Sequence, residues 1–223
     1  MTNPAPAPVA LLRVRIFVDF WNFTLSMGAV RPGFQSDWTK IGRLFSTKAA
    51  EQVDPAMGHS FEAMHVYGSF DPASATDVKL RGWLEGWLDS QPGIHVSSVP
   101  RQKKKSPPRC PACRIDVAAC TSCGADMRGT EEKGVDTRIV TDMMSHAWAD
   151  GYNVALLISA DRDFVPVAEE LQKRGIKVIH GRFGTKGMEL SKKCWGSIEI
   201  ASLMPQFERQ IPAAKAKPAQ NGT

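Results

Sequence analysis

Short apolar, β-branched runs alternate along the chain with longer stretches whose apolar residues recur at helical spacing. Arg13-Val14-Arg15-Ile16-Phe17-Val18 predicts a first strand, buried by its last residues. A helix over about 38–50 places Trp38, Ile41, Leu44 and Phe45 on one face, with Ser36 or Asp37 available as its cap. Residues 61–68 read as a second strand. Residues 72–88 read as a helix carrying Val78, Leu80, Trp83, Leu84, Trp87 and Leu88, and 94–99 as a third strand. After a break, a helix over 135–149, a strand over 154–159, a helix over 164–174 and a strand over 177–180 follow. This alternation predicts an α/β, Rossmann-like, three-layer fold with a mostly parallel sheet and right-handed crossovers. No internal repeat is read from the pattern.

The break, residues 100–130, follows neither period. It opens on a run without an acid, containing Arg101, Lys103, Lys104, Lys105 and Arg109. Then come two CxxC pairs, Cys110 with Cys113 and Cys120 with Cys123. Two tight turns that each point a pair of thiolates at one ion are what a structural zinc site needs. The expectation is one Zn²⁺ on the four sulfurs, with no open position for catalysis, folding a segment too short to build its own core. Disulfides or reactive thiols are the alternative. The basic run is read either as a solvated loop or as a grip on a phosphate backbone. Cys194, far from the others, reads as a buried apolar residue.

The acids gather at predicted strand ends. Asp19 directly follows the first strand, with Asn22 three residues on, where the chain should be turning. Asp161 and Asp163 stand between the strand ending at Ser159 and the next helix. Asp136 sits in the first turn of the helix that follows the break, on or beside its core-facing stripe. In open α/β sheets ligands bind at the carboxyl ends of strands. Three acids meeting there would repel one another, and a cation is the usual remedy. Each acid has a plainer reading: Asp136 as a first-turn acid favoured by the helix dipole, Asp163 as a helix cap. Asp19 has no such role in the sequence. Asp142 lies about 240° around an ideal helix from Asp136, which predicts a salt bridge or a supporting role. Ser159 could donate to a carboxylate or to a metal-bound water.

Composition adds limits. The chain has 43% hydrophobic and 23% charged residues, ordinary for a globular protein. A net charge of +5 favours an anionic partner, nucleic acid first. The absence of a long apolar run or a secretory pattern predicts no membrane span and a cytoplasmic location. Residues 1–12 are expected to be flexible, 13–203 to form the main domain with 100–130 inserted in it, and 211–223 to be a disordered tail.

Three motifs in order, Val18-Asp19-Phe20-Trp21-Asn22, Lys133-Gly134-Val135-Asp136 with Asp142 following, and Leu157 to Pro166 around Ser159-Ala160-Asp161-Arg162-Asp163, resemble the NYN domain family, of the LabA-like type within the PIN-like nuclease fold. The resemblance also takes in Gly175-Ile176-Lys177-Val178. It implies a PIN-type α/β domain that cleaves RNA with Mg²⁺ or Mn²⁺ held by Asp19, Asp136, Asp161 and Asp163, with Asn22 in support. Ala160 stands where the family usually has glycine, and the Cys-rich insertion lies outside the family's core pattern. The function expected is a metal-dependent ribonuclease, an endonuclease, with Arg162 joining the basic insertion in holding RNA. The alternative is a catalytically inactive NYN-fold module that binds nucleic acid or adapts proteins. A protein partner or a homo-oligomer stays open.

Overall fold

A computed structural model describes residues 11–210. The expected disordered tail and all but the last two residues of the expected flexible N-terminus lie outside the described residues.

The first strand, β1 (Leu12–Asp19), runs between β2 (His59–Phe70) and β6 (Val154–Ile158), parallel to both. Beyond β2 lies β3 (Ile94–Pro100), and beyond β6 lie β7 (Lys177–Arg182) and β8 (Gly196–Glu199). The six-stranded order is therefore β3-β2-β1-β6-β7-β8, all parallel. It is the doubly wound α/β arrangement that the alternating pattern predicts.

Side chains leave successive strand residues on opposite faces, which divides the core in two. Val14, Ile16 and Val18 of β1 join Val154, Leu156 and Ile158 of β6 on one face. That face is covered by α1 (Phe20–Val30), α2 (Trp38–Val53) and the 3₁₀ segment Ile200–Gln206. Phe17, Ala155 and Leu157 face the other way, against α4 (Val135–Trp148) and α5 (Val165–Lys173). Burial on both faces is why these central strands read as unbroken apolar runs.

Three local features differ from the sequence reading. Where only a turn was expected after Asp19, a full helix, α1, begins. The helix expected over 72–88 is α3 (Ala75–Gly82), and it continues as a π-helix, Trp83–Leu88. The insertion is an arm, and it does contain a repeat. Its stem is a two-residue antiparallel ladder, β4 (Gln102–Lys103) with β5 (Thr130–Glu131). Beyond the stem, residues 108–117 and 118–127 make the same turn twice. In each, the ninth residue after the first donates back to it: Val117 N–H to Pro108 at 2.8 Å, Met127 N–H to Ala118 at 3.0 Å. In each, the first cysteine's N–H donates five residues ahead and its carbonyl accepts from four ahead. Only the cysteines and the acid (Asp116, Asp126) are shared, so hydrophobic periodicity does not reveal the repeat. The last described element before β8 is the short helix α6 (Met188–Ser191).

Candidate functional site

The sheet's order reverses between β1 and β6, and ligands of open α/β sheets bind in the crevice above such a point. Asp19 ends β1 there and is 5% exposed. One of its oxygens accepts the Asn22 backbone N–H at 3.0 Å, which makes it the N-cap of α1. The other accepts from the Asn22 amide at 2.7 Å and from the Ser159 hydroxyl at 3.2 Å. Asp19 thus has a structural role as well, contrary to the sequence reading. Capping is what ends the strand and starts a helix in a segment of modest helix propensity.

Asn22 also reaches across the crevice, its side-chain oxygen accepting the Ala160 N–H at 3.2 Å. Ser159 is fully buried, and its hydroxyl accepts the Asp161 N–H at 3.3 Å. Asp161 in turn accepts the Asp163 N–H at 2.9 Å and caps the 3₁₀ turn Arg162–Phe164. The cap expected of Asp163 is therefore supplied by Asp161, and Asp163 is left exposed within that turn. Ala160 adopts no left-handed conformation; among the described non-glycine residues only Arg114 and Asp150 do. Alanine in place of glycine leaves this turn intact.

Asp136 lies in the first turn of α4, after Gly134 at φ 89°. Its carboxyl is pushed up to about 6, first by desolvation, then by the charges of Asp19 and Asp161, then by Glu132 and Asp163. Asp136 keeps an exposed face, so the crowding of like charge is the firmer cause. The charges of Asp19, Asp161 and Asp163, and of Glu132, thus all reach Asp136, but among the described residues no three of these acids stand close enough together to hold an ion. Asp142 is elsewhere: it accepts from the Tyr67 hydroxyl and from Arg138 Nε, both at 3.1 Å.

Two contributors went unseen in the sequence. His180 of β7 is fully buried and bonds the Ser159 carbonyl through Nε2 at 2.7 Å and the Ser191 hydroxyl through Nδ1 at 2.6 Å. A carbonyl only accepts, so Nε2 carries the proton and the neutral ring braces the turn at Ser159. Burial holds the imidazole below its ordinary value. Gly187 lies so close that a Cβ there would stand 2.8 Å from the ring and 3.1 Å from Ala160 Cα. Glu132 accepts a short hydrogen bond from the buried Ser69 hydroxyl. Neither residue stands in a periodic or motif position that marks it.

The basic residues separate. Lys103 pairs with Asp126 at 2.6 Å, Arg109 with Asp116 at 2.8 Å, and Arg162 with Glu189 at 3.9 Å. Lys104 and Lys105 are exposed on the arm. Arg101 is fixed at the rim: its Nε donates to Ser69 Oγ at 2.9 Å, and its guanidinium lies 5.1 Å over the Trp21 ring. Trp21 donates its indole N–H to the Ser69 carbonyl at 2.8 Å.

In the arm, each cysteine pair is drawn together by its turn. The Cys110 thiol is held below its ordinary value by hydrogen bonds from the backbone of Cys113 and Ala112, and Cys120 by those of Ser122 and Cys123. The single four-sulfur site expected from the sequence is not assembled, and the two close pairs stay separate groups. Among the described residues no three His, Cys, Asp or Glu side chains are gathered tightly enough to hold an ion. Cys194 is half-buried, and burial pushes its thiol up to about 12. No helix among the described residues is long and apolar enough to cross a membrane.

Comparison with known proteins agrees with the fold. The family model "NYN domain" matches residues 13–200. A crystal structure of a protein of unknown function from Vibrio parahaemolyticus shares the fold with a TM-score of 0.56 at 14% identity, covering 89% of this chain and 97% of that one. No curated protein matches the chain.

Proposed function

The chain belongs to the NYN domain family, a PIN-like family of nucleases, and from that premise we propose that it is a metal-dependent ribonuclease. What supports this reading is that Asp19 ends β1 at the sheet's switch point and that its charge, with those of Asp161 and Asp163, reaches Asp136. A site that only binds a polyanion gains nothing from such an acidic rim.

Carboxylate oxygens are the donors that Mg²⁺ and Mn²⁺, hard ions, take; the acids stand apart in this structure, so an ion would have to draw them together. Such an ion, when bound, lowers the pKa of a water and offsets charge on the phosphate. The protein's part is positioning. Asn22 and Ser159 fix both oxygens of Asp19, and Ser159 fixes the start of the Asp161 turn. Arg101 supplies a cation at the edge of the rim, suited to a neighbouring phosphate. Lys104, Lys105 and Arg162 add to the field that attracts RNA, and Lys103 and Arg109 contribute beyond their ion pairs. An internal cut is the expected outcome.

The test is cleavage of labelled single-stranded RNA with Mn²⁺ or Mg²⁺ by the wild type and by Asp19→Asn, Asp136→Asn and Asp161→Asn. Cleavage is expected from the wild type and lost by more than about a hundredfold in each variant. Activity that survives all three substitutions removes the site. RNA binding without cleavage in the wild type would favour the non-catalytic module.

We further propose that one structural Zn²⁺ would draw the two cysteine pairs, which are separate in this structure, onto a single ion. The support is the donor chemistry, four thiols in two identical turns with backbone N–H groups aimed at sulfur. Metal analysis of reduced protein, purified without chelator, should find about one zinc per chain, and finding none overturns this assignment.

A further inference from the structure

We propose that the arm and the body together form a nucleotide pocket, which takes one base of the RNA strand beside the phosphate to be cleaved. The proposal rests on the ribonuclease reading and extends it to how substrate is held.

A cavity of about 350 Å³ lies where the arm's stem meets the loop after β2. Pro72 and Ala73 line it from the body, Lys103, Gly129 and Thr130 from the stem, and Arg101 joins the two. Its volume is at the lower end of small-ligand sites, which suits one nucleotide and not a duplex. Neither wall exists without the other, so the insertion itself creates the cavity.

The pocket is tied to the acidic rim by named contacts. The Ser69 hydroxyl accepts from Arg101 Nε and donates to Glu132. Glu132 lies four residues before Asp136, on the approach to α4. Arg101 also stacks on Trp21, two residues after Asp19. A strand whose phosphate sits at the acids therefore meets Arg101 next.

Charge decides which part of a nucleotide goes where. Asp71 and Asp126 also line the cavity, and Asp126 is already engaged by Lys103 and Arg128. Carboxylates repel a phosphate but accept N–H groups from a base edge. Among the described residues the terminal nitrogens of Arg101 have no hydrogen-bond or ion-pair partner, unlike the side chains of Lys103, Arg109 and Arg162. The phosphate is thus assigned to Arg101 and the base to the cavity.

The test uses full-length Asp161→Asn protein, so that RNA is bound and not cut. Single-stranded RNA carrying 4-thiouridine is photo-crosslinked to it and the adducts are mapped. Adducts are expected within 71–73, 101–103 or 129–130. Adducts confined to other surfaces, such as the groove between Trp38, Trp83 and Trp87, or no adducts, overturn the proposal. A second variant, Ala73→Phe, fills the cavity from an exposed loop position. It should weaken RNA binding about tenfold, as expected for loss of one held base, and should alter which positions the active enzyme cuts. Unchanged affinity and an unchanged cut pattern overturn the pocket even where the wild type cleaves RNA. Crosslinks at the pocket in a protein whose wild type never cleaves would retain the pocket and remove the nuclease.

Discussion

The Ser159 hydroxyl lies 3.2 Å from a carboxylate oxygen of Asp19, a contact between the ends of β6 and β1. The same hydroxyl accepts the Asp161 N–H at 3.3 Å. One fully buried oxygen thus sets two of the acids relative to each other. Ser159→Ala leaves both partners short of a bond in a buried place, at a cost of about 1–3 kcal/mol. It should also reduce kcat more than it raises KM, because the acids lose alignment while the phosphate grip at Arg101 is untouched. Urea denaturation and steady-state cleavage of the same preparation check both parts. A variant with unchanged kcat would mean that Asp19 and Asp161 are aligned by other contacts.

The raised carboxyl of Asp136 predicts how metal affinity changes with pH. A cation must compete with its proton below about 6. Mn²⁺ binding measured by calorimetry should therefore tighten as pH rises from about 5 to 7 and level off above, and Asp136→Asn should bind more weakly with a flatter profile. Equal affinity at pH 5 and 7 in the wild type would show that Asp136 does not ligate.

Most of the frame was legible because the central strands are apolar on both faces and the helices keep one apolar stripe. The position of Asp19 at a strand end was legible for the same reason. Its capping role was not. Phe20–Val30 carries no charged residue and exposes two apolar ones, Leu25 in its middle and Val30 at its end, so no amphipathic stripe announces a helix there. The cap at Asp161 instead of Asp163 depends on a 3₁₀ turn that inserts one extra turn of chain before α5. His180 and Glu132 act through contacts 21 and 63 residues distant in sequence, and such pairings leave no local pattern.

A second group of histidines predicts the response of the fold to acid. His65 lies with ring centroids 5.1 Å from His95 and 4.7 Å from His146, and Arg15 donates to its Nε2 at 2.9 Å. Burial, and then the charges of His146, Arg15, His95 and Arg138, bring His65 down to about 3. His146 and His180 are also lowered, chiefly by burial. A histidine depressed in the folded state leaves the unfolded chain binding more protons, so stability is full above the unfolded value near 6.5 and is lost as pH falls below it. Asp136, being raised, acts in the opposite direction below about 6. With three histidines against one aspartate, the Tm should drop between pH 7.5 and 5.5. His65→Gln should flatten that drop, and an unchanged slope would place the acid sensitivity elsewhere.

Asp19 and Asp161 belong to the same rim but carry different structural duties, which separates folding from chemistry. Asp19 is 5% exposed, accepts three hydrogen bonds and caps an eleven-residue helix. Asp161 is partly exposed and caps a turn of three residues through one N–H. Replacing a cap with alanine costs about 0.5–2 kcal/mol, and a buried carboxylate's orphaned donors add to that. Asp19→Ala should therefore lower both stability and cleavage, whereas Asp161→Asn, which keeps a capping oxygen, should abolish cleavage with a stability change below about 1 kcal/mol. Thermal melts beside cleavage assays decide this. If Asp161→Asn melts as the wild type does and still cuts RNA, the carboxylate at the end of β6 serves only the turn. If Asp19→Ala loses activity with no change in melting, the cap matters less than the charge it carries.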